Sequence, residues 1–242
     1  MIPKADSRRI GGVNIFEIQG IFGEPWVTRI KEGIKQVLRE YPGEGLLFNV
    51  REVKKIDRPG AEAILELTEK PAKGGILGQN LPVHLITEHI GSKEPVPIFE
   101  NNKQAIEYFG KEFVSEEFFT EEKRKFPRVP TALAGEFELQ SDSGKPFFFD
   151  VVVTNLSEGG LYGCFLDKPT EELAFRLIDP FDLKLLKVCL NLNKNTVIHT
   201  EGKVLRSEKN LVENHGLALE FYNLKDKEKE EIRNFLKKDQ GQ

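Results

Sequence analysis

Lys123-Arg124-Lys125-Phe126-Pro127-Arg128-Val129 is a basic stretch that cannot be helical throughout. Pro127 has no amide hydrogen to donate and biases Phe126 toward an extended backbone. The stretch is therefore an extended lead-in that presents Arg124 and Arg128 in an R-x-x-x-R arrangement, with Lys123 directly before the first arginine. Beyond Arg128 the chain turns strand-rich. A second marked segment, Asn155-Leu156-Ser157-Glu158-Gly159-Gly160, follows as an N-x-S-x-x-G pattern.

Strand signals run outward from these segments. Ala132 to Leu139 and Phe147 to Thr154 flank the turn signal Ser141-Asp142-Ser143-Gly144 and read as a hairpin. Leu161 to Leu166 is a third strand. Residues 167–181, with Pro169, Thr170 and Pro180, form a longer excursion. Leu183 to Leu192 alternates with one shift of phase, then Asn193-Lys194-Asn195 turns into Thr196 to Arg206. Leu217, Leu219 and Phe221 alternate again. Six short strands imply a small barrel or sandwich. Lys225 to Lys238 reads as a helix that caps it through Ile232, Phe235 and Leu236.

The chemistry of the two segments is complementary. An arginine fork bonds a guanine edge or phosphate oxygens in pairs, and its plane stacks on a base. Asn155 offers a donor and an acceptor, and Ser157 offers a hydroxyl. Gly159 and Gly160 allow a sharp turn and a close approach of backbone. Taken singly, R-x-x-x-R is also a solvated charge cluster and N-x-S-x-x-G is also ordinary turn chemistry. Together they suggest a site for a planar, anionic nucleotide.

Over residues 120–238 the chain resembles a PilZ domain, the bacterial receptor module for cyclic di-GMP. Arg124 and Arg128 match its R-x-x-x-R lead-in, and Asn155, Ser157 and Gly160 match its [D/N]-x-S-x-x-G turn. Gly216-Leu217-Ala218-Leu219-Glu220-Phe221 resembles its late glycine-started strand. The resemblance implies that the arginines hold guanine and phosphate, with the turn residues on the opposite side of the ligand. It also makes Lys123 and Gly159 candidate contacts and leaves the number of ligands per chain open. Arg206 is a weaker candidate.

The first half reads differently. Val13 to Gln19 is a strand, ended by Gly20 and Gly23. Pro25 to Glu40 is an amphipathic helix, with Val27, Ile30, Ile34, Val37 and Leu38 at helical spacing. Leu46 to Val50 is a buried-strand candidate, and Pro59 to Glu69 a second helix. Lys73-Gly74-Gly75 is a loop signal, Val83 to Thr87 a strand, and Asn102 to Phe109 a helix ending at Gly110. Alternating strands and helices argue for an α/β layer.

This order over residues 10–112 resembles a STAS domain, the fold of anti-sigma-factor antagonists. Ile56-Asp57-Arg58-Pro59-Gly60-Ala61-Glu62-Ala63-Ile64-Leu65 carries the likeness. Asp57 and Gly60 match the family's Asp-Ser-Ser-Gly-type segment, but Arg58 and Pro59 stand where the serines would be. With no hydroxyl there, switching by serine phosphorylation at this place is excluded. Asp57 also has a plain structural role open to it, as a carboxylate at a helix N-terminus.

The expectation is thus an α+β chain of two domains, 1–115 and 116–242, the second opened by the basic lead-in at 120–130. Composition agrees: 39% hydrophobic and 31% charged residues suit a soluble protein with a core in each half. A net charge of −4 gives no pull toward nucleic acid. No apolar run reaches the roughly 18 residues a bilayer span needs. The polar N-terminus has no signal-peptide stretch, so the expected compartment is the cytoplasm. Cys164 and Cys189 form no disulfide framework, and His84, His89, His199 and His215 are scattered, so no metal is expected. No metal cluster or acid–base pair supports an enzyme. The expected function is a cyclic di-GMP-binding regulator without a cofactor, whose N-terminal domain engages an unidentified protein partner. A constitutive interaction adaptor is the alternative.

Overall fold

The computed structural model describes residues 3–43, 45–69, 71–79, 84, 86, 96–114, 126–140, 146–167, 185–210 and 214–239. They fall into two units, Met1–Glu112 and Phe113–Gln242.

In the first unit, β1 (Lys4–Ile10) pairs antiparallel with β2 (Val13–Phe22), from Lys4 opposite Gln19 to Ile10 opposite Val13. The polar N-terminus is thus a strand. It lies at the sheet's edge, where most of its residues stay at least partly exposed and need no apolar alternation. The expected break at Gly20 is a bend instead. Its φ of 85° is one that a side chain resists, and the ladder shifts register there. Before the bend β2 pairs in parallel with β3 (Gly45–Asn49), and after it with β4 (Val53–Ile56).

The loop expected at Lys73-Gly74-Gly75 is also corrected, because β5 (Lys73–Leu77) lies parallel to β3. A Cβ on Gly74 would overlap the Thr68 carbonyl at the end of α2 (Arg58–Thr68), so glycine lets the strand pass beneath the helix. With β6 (Ile98–Phe99) the order is β1-β2-β3-β5-β6, and β4 sits on β2. The strand expected at 83–87 lies mostly outside the described residues; His84 and Ile86, described there, are helical.

α1 (Val27–Glu40) begins after Pro25, not on it, and α3 (Asn102–Phe109) ends at Gly110 as expected. Lys31 of α1 forms an ion pair with Glu66 of α2. The core gathers Phe16, Ile18, Leu46, Phe48, Ile64 and Ile76. Asp57 takes the plain role: its carboxylate accepts the Gly60 amide at 2.9 Å and the Glu24 amide at 2.9 Å. It caps α2 and ties that helix to the turn before α1. Arg58 pairs with Glu62 at 2.7 Å on the exposed face of α2.

The second unit is a closed barrel. β7 (Val129–Gln140), β8 (Pro146–Ser157) and β9 (Gly160–Phe165) form a meander. β10 (Leu186–Asn193), β11 (Thr196–Asn210) and β12 (Asn214–Tyr222) follow. β12 pairs with β9, and β10 closes the ring on β7 through Val188 opposite Phe137. The shift of phase expected between Leu185 and Val188 is not inside the strand: exposed Leu185 precedes β10, which alternates from Leu186, and the irregularity of its ladder falls between Asn191 and Asn193. α4 (Asp226–Asp239) adds Ile232 and Leu236 to a core that includes Phe137, Val151, Leu190 and Leu217.

The barrel's outer face carries an unfavourable pair. Glu136 on β7 stands directly across from Asp150 on β8. Partial burial, then Asp150, then Glu138 push its carboxyl above the usual carboxylate range. The folded barrel therefore holds that proton more tightly than the unfolded chain does. Ionised Glu136 costs stability at neutral pH, and the cost is relieved as pH falls through its folded-state pKa. Glu136→Gln is expected to raise neutral-pH stability by about 0.5 kcal/mol, the scale of opposed like charges in a sheet. The gain should vanish on acidification; urea melts at two pH values check both.

Candidate functional site

The ladder between β7 and β8 brings the two marked segments together. Val129 pairs with Leu156 and Pro130 with Asn155. Arg128 directly precedes Val129 and Ser157 directly follows Leu156, so both lie at this end of the barrel. Two steps beyond that, the Phe126 ring lies over Gly159: a Cβ built on Gly159 would come within 2.7 Å of it. The chain leading into β7 thus runs back along the end of β8 and across the turn. Lys123 and Arg124 lie outside the described residues, as does the side chain of Arg206.

Turn chemistry explains part of the N-x-S-x-x-G segment. Ser157 and Gly160 pair across the β8–β9 hairpin, with Glu158 and Gly159 as the two turn residues. The Ser157 hydroxyl donates to the Gly160 carbonyl at 3.1 Å, so its proton is spent on the turn and its lone pairs remain to accept. Gly159 and Gly160 do not adopt positive φ. Their lack of a side chain answers to close approach instead, of the Phe126 ring at Gly159 and of the Leu219 carbonyl on β12 at Gly160.

Asn155 is 5% exposed, and its side-chain atoms are not among the fully buried polar atoms left without a partner. Its side-chain amide carries both a donor and an acceptor, which suit a ligand's polar edge. Arg128 is half-buried at the same end of the barrel.

The sequence reading missed one contact at this turn. Arg233 on α4 donates to both carboxylate oxygens of Glu158, from Nε at 3.1 Å and from Nη2 at 2.9 Å. This hydrogen-bonded pairing holds the Glu158 carboxyl below its ordinary range and raises Arg233. The partners are 75 residues apart, and no local signal joins them. Elsewhere, a groove of about 520 Å³ on the outer face, lined by Glu136, Glu138, Cys189 and His199, includes none of the marked residues. Among the described residues no cluster of His, Cys, Asp and Glu is placed to hold a metal, and no helix is long and apolar enough to cross a membrane.

The C-terminal half of this chain is a PilZ domain: the family model matches residues 122–238. Comparison with curated proteins gives no match. Among solved structures, the PilZ domain with c-di-GMP of YcgR from Escherichia coli is 13% identical with a TM-score of 0.36, covering 49% of this chain and 92% of that one. The K. pneumonia MrkH–c-di-GMP complex is 17% identical with a TM-score of 0.37, covering 48% of this chain and 51% of that one. The chain thus spans about half of MrkH. For the N-terminal unit, an anti-sigma factor antagonist from Mycobacterium paratuberculosis is 14% identical with a TM-score of 0.40, covering 44% of this chain and 93% of that one.

Proposed function

We infer that the chain is a regulatory receptor for cyclic di-GMP, acting in the cytoplasm and without a catalytic step. The ligand is taken at the end of the PilZ barrel by Arg124, Arg128, Asn155 and Ser157, flanked by Lys123, Gly159 and Gly160. The observation that carries this reading is the strand register, which pairs Val129 with Leu156 and Pro130 with Asn155 and so brings Arg128, Asn155 and Ser157 to one end of the barrel. The ligand supplies two phosphates and two guanine edges. Arginine forks match both, and an asparagine matches either. Binding neutralises the lead-in and draws it onto the barrel, and this changes the arrangement of the units or the partner surface of the N-terminal one. Asp57 is committed to capping α2 and Arg58 and Pro59 carry no hydroxyl, so the switch is assigned to the barrel.

Calorimetric titration of the full chain with cyclic di-GMP tests the proposal. Micromolar or tighter binding is expected, and the heat per mole distinguishes one ligand from two. Absence of binding by a folded chain would overturn the receptor reading in favour of a constitutive adaptor.

A further inference from the structure

Glu158 is the charged residue inside the N-x-S-x-x-G turn, one position from Ser157. A bare carboxylate there opposes any ligand that brings phosphates to the site. Arg233 answers that problem. It follows the fully buried Ile232 on α4, so docking of the helix fixes where its guanidinium stands. From there it takes both Glu158 oxygens, at 3.1 Å and 2.9 Å. Lys237, one turn further along the helix, adds positive field at Glu158, while Glu230 faces Arg233 from the same helix.

We propose that Arg233 is a positioning residue of the nucleotide site: it draws the Glu158 carboxylate toward α4 and cancels its charge, so that anion affinity depends on the docked C-terminal helix. The inference rests on the receptor reading above. As a stability element the pair is minor, because its side chains are 49% and 33% exposed and such surface pairs contribute little. Its effect is on the field at the site. By reciprocity, a ligand that favours the neutralised turn also favours the docked helix, which gives the occupied barrel a way to act on its own C-terminus.

The test titrates the full chain with cyclic di-GMP as wild type, Arg233→Ala, Glu158→Gln and the double variant, at low and high salt. Arg233→Ala is expected to weaken binding about fivefold with an unchanged melting temperature, the size of one like charge near an exposed site. Glu158→Gln in the same chain should restore affinity to within about twofold of wild type, since the offending charge is gone. Glu158→Gln alone should bind at least as tightly as wild type. The deficit of Arg233→Ala should shrink at high salt. Wild-type affinity in Arg233→Ala overturns the inference. So does a double variant as weak as Arg233→Ala, which would make Arg233 a direct ligand contact or a packing residue. Absence of binding by the wild type overturns the receptor reading and this inference with it, whereas equal binding by wild type and Arg233→Ala overturns this inference alone.

Discussion

Arg128→Ala is expected to weaken cyclic di-GMP binding by about a hundredfold or more while leaving the barrel folded. Arg128 is half-buried at the entrance of β7, next to Val129, which is 8% exposed and belongs to the core. The backbone there is held by the ladder to Leu156, whatever side chain stands at 128. Truncation therefore removes a charged fork without opening the core. Losing one partner of a hydrogen-bonded charge pair at a binding surface costs about 2–5 kcal/mol, and each 1.4 kcal/mol is about tenfold in affinity. Arg128→Lys keeps the charge and loses the fork, so it should fall between the two. Calorimetry beside a thermal melt reads both effects. Wild-type affinity in Arg128→Ala would remove the lead-in from the site.

Gly160→Ala should act through the fold instead. Gly160 pairs with Ser157 on β8 and with Glu220 on β12, and a Cβ would overlap the Leu219 carbonyl. Backbone cannot swing aside as a flexible side chain can. The ends of two ladders, together with the Phe221 amide bond to the Gly159 carbonyl at 2.9 Å, would have to part. A cost of about 3 kcal/mol is expected, within the range for strain and overpacking at a special position. It would lower the barrel's melting temperature by roughly 10 °C. Gly159→Ala is the control: its Cβ meets the Phe126 ring, which is 39% exposed and has room to move. A barrel that melts normally with alanine at 160 would show that the strands spread more easily than their register implies. Loss of ligand binding in Gly160→Ala therefore cannot by itself make Gly160 a ligand contact.

Much of the barrel was legible from runs of β-forming apolar residues, with alternation clearest on β10. Val188, Leu190 and Leu192 on β10, and Leu217 and Leu219 on β12, all point inward. The apolar positions Ile232 and Leu236 likewise marked the docked face of α4. Where alternation was not needed, the reading failed. β1 is an edge strand whose Lys4, Arg8 and Arg9 disguise it as a polar tail. β5 opens on two glycines whose purpose is clearance beneath α2, which resembles loop chemistry in one dimension. Gly20 looks like a terminator and is a bend, because the second partner of β2 lies more than 30 residues further along the chain. At the candidate site, side-chain chemistry pointed to Arg128, Asn155 and Ser157, and the register places them at one end of the barrel. It could not show that Ser157 spends its proton on the turn, nor that Glu158 meets Arg233. Both depend on distances that only the closed barrel sets.

The closed ring of β7 to β12 has a further consequence, for how copies of this chain behave at high concentration. Each of its six strands has two neighbours, so the barrel presents no open ladder on which another chain could grow. The first unit does present edges, on β1, β4 and β6, and each is a poor template among the described strands: β4 is four residues long with Lys54 and Lys55 exposed. β6 is two residues long, and β1 sets Lys4, Arg8 and Arg9 along its rim. Fibre-like stacking through sheet edges is thereby discouraged in both units. A partner that reaches this protein is steered toward helix faces and side chains rather than toward the addition of a strand.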